Sequence, residues 1–202
     1  MLRIAVLASG RGTNLQAIID AVAGGELTGL AAVALVISDR PKALALERAR
    51  AHGIPTLVLR PRDYASRADH DAAVAAAIDA AGTDLICLAG YMRLFEPAFI
   101  QRYAGRMINV HPALLPAFPG LDVQAKALEH GVKISGCTVH FVDEGTDTGP
   151  IIVQRAVPVL EDDTAETLAA RILTQEHLAY IEAIRLIAQG RVRIEGRRVR
   201  IT

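Results

Sequence analysis

The chain has 202 residues, 51% of them hydrophobic, which is enough apolar material for one domain with a sizeable core. Lys and Arg number 22 and so do Asp and Glu. Bulk charge therefore gives no reason to expect DNA, RNA or an anionic membrane as the main partner, and it leaves room for a local site for a small phosphate. The two cysteines, Cys87 and Cys137, each lie in an apolar, strand-like run. They read as buried hydrophobes rather than a disulfide or metal pair, which fits a reducing, cytoplasmic setting.

In chain order, LRIAVLA (2–8) is too short for a signal peptide and reads as a first strand. SGRGTN follows, then a helix from about Thr13 to Ala23. LAAVALVIS (30–38) is a second strand, and a helix starts after Pro41, a good first-turn residue. TLVL (56–59) is a third strand, followed by an Ala-rich helix from about Tyr64 to Ala81. DLICLAG (84–90) is a fourth strand. A helix near Pro97 to Tyr103 and the run MINV (107–110) come next. No apolar run approaches membrane-spanning length. Apolar strands separated by helices imply an α/β, Rossmann-like class: an open, mostly parallel twisted sheet with helices on both faces.

The pattern changes after Gly120. ISGCTVHFV (134–142) and PIIVQRAVPV (150–159) have no helix between them. The short connector predicts an antiparallel hairpin, hence an antiparallel extension in the C-terminal half. A last helix runs from Thr164 to about Ala188, capped by Asp163 or Thr164 and ended by Gly190. The tail, RVRIEGRRVRIT, carries five arginines. It reads as a small solvated hairpin rather than a grip on nucleic acid. The whole is expected to be a single domain, with an N-terminal half of about 1–105, a C-terminal half of about 106–190 and a terminal hairpin, 191–202.

Three stretches could carry chemistry. SGRGTNL (9–15) follows a strand and opens a helix, where backbone N–H groups and the helix dipole favour an anion. Gly10 and Gly12 would let a phosphate approach the backbone. Leu15 occupies the place of the dinucleotide fingerprint's last glycine, so a dinucleotide is disfavoured. The alternative is a plain turn with Thr13 as cap. In MINVHPALLPAFPG (107–120), Asn109 and His111 are two apart on a strand and face one side, while Ile108 and Val110 face the other. Pro112 cannot extend a ladder, and Pro116 and Pro119 are expected to keep the exit extended and stiff. An amide donor beside an imidazole suits a carbonyl turning tetrahedral; the alternative is a buried pair satisfied by backbone. DEGTDTGP (143–150) is by itself an ordinary acidic turn, yet a carboxylate there could reach His111, hold it and favour its charged form. ADHDA (68–72) is a poor chelate, because neighbours on a helix splay by about 100°. His111, His140 and Asp147 show no zinc spacing, so no metal is expected.

Together SGRGTNLQAI (9–18), LERARAHGI (46–54), LAGYMRL (88–94), INVHPALLPAFPG (108–120), VHFVDEGTDTGPII (139–152) and TQEH (174–177) resemble the phosphoribosylglycinamide formyltransferases. This is a folate-dependent family that moves a formyl group from 10-formyltetrahydrofolate to glycinamide ribonucleotide in purine biosynthesis. The resemblance reaches about Gly190. It implies Asn109, His111 and Asp147 as the catalytic trio, and Gly12, Thr13, Asn14, Leu15, Gln175 and Glu176 as ribonucleotide contacts. It implies a folate site at Arg67, Met92, Arg93, Leu94, Phe95, Asn109, Asp143, Glu144, Gly145, Thr146 and Asp147. Ala117 stands where some relatives are basic, which makes Lys126 a candidate to share the phosphate charge. His70 stands where an aromatic is common. Neither a nucleic acid nor a membrane is implied as partner; a homodimer is compatible. The sister alternatives are a formyltetrahydrofolate deformylase-like hydrolase and a tRNA formyltransferase, which is expected to need a second, basic domain. A non-catalytic nucleotide-binding module is the alternative from another class.

Overall fold

The structure, a computed structural model, describes residues 1–202. It divides into two compact units, Met1–Ile108 and Asn109–Thr202. The first unit holds strands β1 (Leu2–Leu7), β2 (Ala31–Ser38), β3 (Thr56–Val58) and β4 (Leu85–Leu88), and helices α1 (Thr13–Gly24), α2 (Leu44–Ala51), α3 (Arg67–Ala80) and α4 (Pro97–Arg102). Strand β5 (Met107–His111) straddles the division. The second unit continues with α5 (Val123–Glu129), β6 (Ile134–Phe141), β7 (Ile151–Pro158), α6 (Ala165–Ala188), β8 (Val192–Glu195) and β9 (Arg198–Ile201). The main sheet has seven strands in the order β3-β2-β1-β4-β5-β6-β7.

In the first unit β1 pairs in parallel with β2 and β4, and β2 pairs in parallel with β3. Residues 4–7 of β1 and 85–87 of β4 are almost wholly buried, the continuous apolar pattern of a strand covered on both faces. The winding runs one way from β1 through β2 to β3 and the other way to β4. The carboxyl ends of β1 and β4 thus flank a topological switch point, where open α/β sheets bind ligands. Helix α1 buries Leu15, Ile18 and Ile19 at the i, i+3, i+4 spacing of one helical face, each contributing about 2 kcal/mol of apolar burial.

In the second unit β6 and β7 pair antiparallel, as the short connector predicts. Helix α6 packs on both and begins with a reciprocal cap. The Thr167 amide donates to Thr164 Oγ1 at 3.3 Å and the Thr164 amide to Thr167 Oγ1 at 2.9 Å, which satisfies two otherwise orphaned donors. Asp163, the other candidate cap, accepts from both terminal nitrogens of Arg171 at 2.6 and 2.8 Å. β8 and β9 form the expected terminal hairpin.

Two expected helix starts shift, and one helix is unexpected. The second helix begins at Leu44, not at Pro41, because the Ala43 amide closes a turn onto the Arg40 carbonyl (3.1 Å) before the helix opens. The third begins at Arg67 rather than Tyr64, because Ser66 accepts from the Asp69 amide and ends the preceding extended chain. Helix α5 has no sequence signature. It is seven residues long, buries only Val123 and Ala127, and starts from Asp122 at φ 57° with no side-chain cap.

Candidate functional site

At its switch point the first unit forms a candidate anion cradle. Gly12, at φ 69°, is the N-cap of α1, and no side chain caps the helix. Thr13 is therefore the first helical residue, not the cap. A left-handed residue is needed here for the chain to turn from β1 into α1, and glycine adopts it without steric cost. Glycine is also required by space: a Cβ at Gly12 would lie 2.7 Å from the Ala45 Cα. The loop is held by its neighbours. Ala45 N donates to the Gly10 carbonyl at 3.1 Å and Ser9 N to the Gly90 carbonyl at 3.1 Å. Met92 N donates to Ser9 Oγ at 2.9 Å, and Arg48 Nε to the Arg11 carbonyl at 2.9 Å.

These ties leave an open cavity of about 290 Å³ lined by Gly10, Gly12, Thr13, Asn14 and Arg40. The first turn of α1 has no acidic residue, and its N–H groups with the helix dipole favour a negative guest. Leu15 is fully buried, so only its backbone can serve a ligand. In the same unit, Arg67 Nη2 donates to the Phe95 carbonyl (3.0 Å) and Arg67 Nε pairs with Glu96 (3.0 Å). Met92 and Leu94 are 58% and 67% exposed and Arg93 is half-buried. Phe95 belongs to the core instead: its ring stacks on Phe99 at 4.0 Å and on Tyr91 at 5.5 Å. The neighbours His70 and Asp71 are buried and in contact, Nδ1 to Oδ1 at 3.4 Å, and Asp71 accepts from the Glu96 amide at 2.7 Å. Asp71, with His70 against its other oxygen, thus anchors the 91–96 loop, a structural task the splay of adjacent helix positions does not suggest.

The second unit gathers Asn109, His111 and Asp147. Strand β5 presents Asn109 and His111. The chain after it is not extended as the prolines suggest. The Ala117 amide bonds the Leu114 carbonyl at 3.1 Å, Phe118 sits at φ 53°, and the segment folds back until the Phe118 carbonyl accepts from His111 Nε2 at 2.8 Å. Thr138 fastens this return. Its hydroxyl donates to the Ala113 carbonyl at 2.6 Å and accepts from the Leu115 amide at 3.0 Å. The other ring nitrogen, His111 Nδ1, lies 3.3 Å from Asp147 Oδ2. Both nitrogens thus face acceptors, and a ring protonated on both sides satisfies both.

Asp147 sits in the turn between β6 and β7 at φ 55°, a region that Asp tolerates better than most residues. The Gly120 amide donates to its Oδ2 at 2.9 Å. Burial pushes the Asp147 carboxyl up. The His140 imidazole, the Gly120 N–H and the His111 ring outweigh that and hold it below its ordinary value of 3.8. The turn is braced internally by Asp143, whose Oδ1 accepts from the Gly145 amide (3.1 Å) and the Thr148 hydroxyl (2.6 Å). Glu144, Gly145 and Thr146 are exposed. On α6, Gln175 and Glu176 are half-buried. Burial, and secondly the charge of Glu176, push the Cys137 thiol up to about 12, which leaves it a protonated, inert core group.

His140 is the residue that motif reading misses, having considered it only as a metal ligand. Its Nδ1 donates to the Phe141 carbonyl at 2.8 Å, so in the neutral ring Nε2 is the acceptor. That nitrogen lies 3.4 Å from Asn109 Nδ2 and 3.7 Å from Asp147 Oδ1. Unprotonated, Nε2 accepts from the Asn109 NH₂; protonated, it donates toward Asp147 instead. A signal existed in the sequence: an imidazole near the carboxyl end of a strand leading straight into the acidic turn. The Phe118 carbonyl and Gly120 amide carried none, because backbone groups have no residue type.

The profile of the formyl transferase family matches residues 2–184. The chain is 44% identical over 185 residues to phosphoribosylglycinamide formyltransferase from Bacillus subtilis, covering 92% of this chain and 94% of that one. It is 52% identical over 188 residues to the trifunctional purine biosynthetic protein adenosine-3 of Drosophila melanogaster, of which it spans 14%. Among solved structures, glycinamide ribonucleotide transformylase 1 from Symbiobacterium toebii superposes with a TM-score of 0.96 at 58% identity, covering 100% of this chain and 94% of that one.

Proposed function

The chain belongs to the formyl transferase family, among the phosphoribosylglycinamide formyltransferases of purine biosynthesis, and we propose that it takes its formyl group from 10-formyltetrahydrofolate through Asn109, His111 and Asp147. The observation that carries this reading is the 3.3 Å approach of His111 Nδ1 to Asp147 Oδ2, with the Asn109 amide 3.4 Å from His140 Nε2 beside it. In the proposed reaction the glycinamide amine attacks the formyl carbon. The carbonyl oxygen becomes an oxyanion, and Asn109 Nδ2–H and the His111 ring donate to it.

The hydrogen bonds of His111 support a division of work between its two nitrogens. Nε2–H is committed to the Phe118 carbonyl at 2.8 Å, which fixes the plane of the ring. Nδ1–H faces Asp147 at 3.3 Å, longer than the roughly 2.7–2.9 Å of a tight charge-assisted bond. That slack lets the same proton be shared with an incoming oxygen. Asp147, held ionised, stabilises the charged ring and takes the proton released by the attacking amine. The proton passes to the departing folate nitrogen as the carbon–nitrogen bond breaks. The cradle at Gly12, Thr13 and Asn14 would take the ribonucleotide phosphate, with Gln175 and Glu176 as further contacts. The folate would use Arg67, Met92–Leu94 and the Phe95 backbone, together with the turn 143–147. The proposed setting is the cytoplasm.

The test is folate absorbance on mixing the protein with 10-formyltetrahydrofolate, with and without glycinamide ribonucleotide. Release of tetrahydrofolate only when the amine is present is the expected result. Release without the amine would mean a deformylase, and no release would leave a binding module.

A further inference from the structure

The terminal hairpin lies outside residues 2–184, the span that matches the family, and nothing in the reaction above uses it. Its connection to the reactive turn is specific. Strand β9 lies against β7, the strand that leaves the turn 143–149. From the tip of the hairpin, Arg197 Nη2 donates to the Thr148 carbonyl at 3.2 Å, across 49 residues of sequence. Thr148 immediately follows Asp147, so a hold on its carbonyl restrains the peptide that carries the carboxylate.

The other restraints on that turn are short-range. Asp143 accepts from Gly145 and from the Thr148 hydroxyl. Gly149 approaches so close that a Cβ there would lie 1.8 Å from the Phe141 carbonyl. These tie the turn to its own base. Arg197 instead holds it from a separate element. Two other hairpin arginines are occupied differently: Arg200 Nε pairs with Glu195 at 2.6 Å and Arg193 Nε with the same carboxylate at 3.5 Å.

We infer that Arg197 is a positioning residue, a strut by which the C-terminal hairpin holds the Thr148 carbonyl and so keeps Asp147 and the folate-facing turn in register with His111. The inference rests on the proposed role of the turn. A guanidinium suits the task because it stays charged at all working pH values and offers several donors. A bond of this kind, from a charged donor at an exposed site, is modest. Its loss should change affinity by about three- to ten-fold rather than abolish the reaction.

The experiment compares Arg197→Ala, Arg197→Lys and the control Arg200→Ala in the full chain, by steady-state kinetics and by amide hydrogen exchange at 143–149. The expected result for Arg197→Ala is a KM for 10-formyltetrahydrofolate raised about three- to ten-fold, with KM for the ribonucleotide unchanged. Exchange in the turn should speed up. Arg197→Lys should recover part of both effects, and Arg200→Ala should match the parent. Unchanged exchange in Arg197→Ala would overturn the strut, as would faster exchange with an unchanged folate KM in an active enzyme. If the parent itself shows no transfer while exchange still quickens in Arg197→Ala, the strut stands and the reading of the reaction fails.

Discussion

Replacing Gly12 by alanine should break the cradle and the fold together, whereas the same change at Gly10 should touch only the cradle. The new Cβ at Gly12 would sit 2.7 Å from both Cα and Cβ of Ala45, far inside the roughly 3.5–4.0 Å of a comfortable carbon contact. One of those atoms is backbone in α2, so it cannot swing away. The residue must also remain at φ 69°, which costs an L-residue about 1 kcal/mol. Forcing the methyl into packed space adds about 2 kcal/mol. The total of about 3 kcal/mol corresponds to a Tm lower by roughly 6–12 °C for a chain of this size. At Gly10 a Cβ meets nothing within 4 Å, yet Gly10 lines the cavity. Gly10→Ala should therefore keep the parent Tm and bind glycinamide ribonucleotide more weakly. Scanning calorimetry and isothermal titration with the ribonucleotide read the two effects separately. A Gly12→Ala protein with the parent Tm would refute the close-packing argument. A Gly10→Ala protein with parent affinity would refute the cradle.

His111→Ala should lower turnover by roughly two to four orders of magnitude while ribonucleotide binding persists in titration; full activity would remove the imidazole from the chemistry. Asn109→Ala should lose about 3 kcal/mol of transition-state stabilisation, a fall of roughly a hundred-fold in kcat, if its amide donates to the oxyanion. The depressed Asp147 carboxyl makes a pH prediction. Its contribution to stability is fully present above the unfolded carboxylate value and is lost as pH falls through the lower folded value. Denaturant titrations of the parent and Asp147→Asn should thus show a constant gap at neutral pH that narrows below about pH 4; a gap independent of pH would sink the assignment. Gly149→Ala should displace the reactive turn, because its Cβ would overlap the Phe141 carbonyl, and a parent-like KM for the folate would contradict that.

Parts of the site were legible in the residue pattern because residue type and spacing carried them. Two residues of separation on a strand put Asn109 and His111 together, and a glycine before a helix marked the cradle. Phe95 shows the limit from the other side. The resemblance places it in the folate site, but the aromatic stack with Tyr91 and Phe99 holds its ring, while its carbonyl accepts from Arg67. The prolines misled for a related reason. Proline sets local dihedrals, whereas the path of 112–120 is decided by Thr138 reaching two backbone groups from another strand.

By itself the sequence determined the class of fold and the residue types offered to the proposed reaction. The alternation of apolar strands with helices requires a covered parallel sheet, and few side chains can donate to an oxyanion or move its proton. The tertiary structure alone decided what those groups can do. Asp147 comes within 3.3 Å of His111 because the β6–β7 turn folds over it. The Gly120 amide reaches the same carboxylate from 27 residues away along the chain. Such long-range meetings depend on packing that brings distant segments to one place, and no local pattern of residue types encodes them.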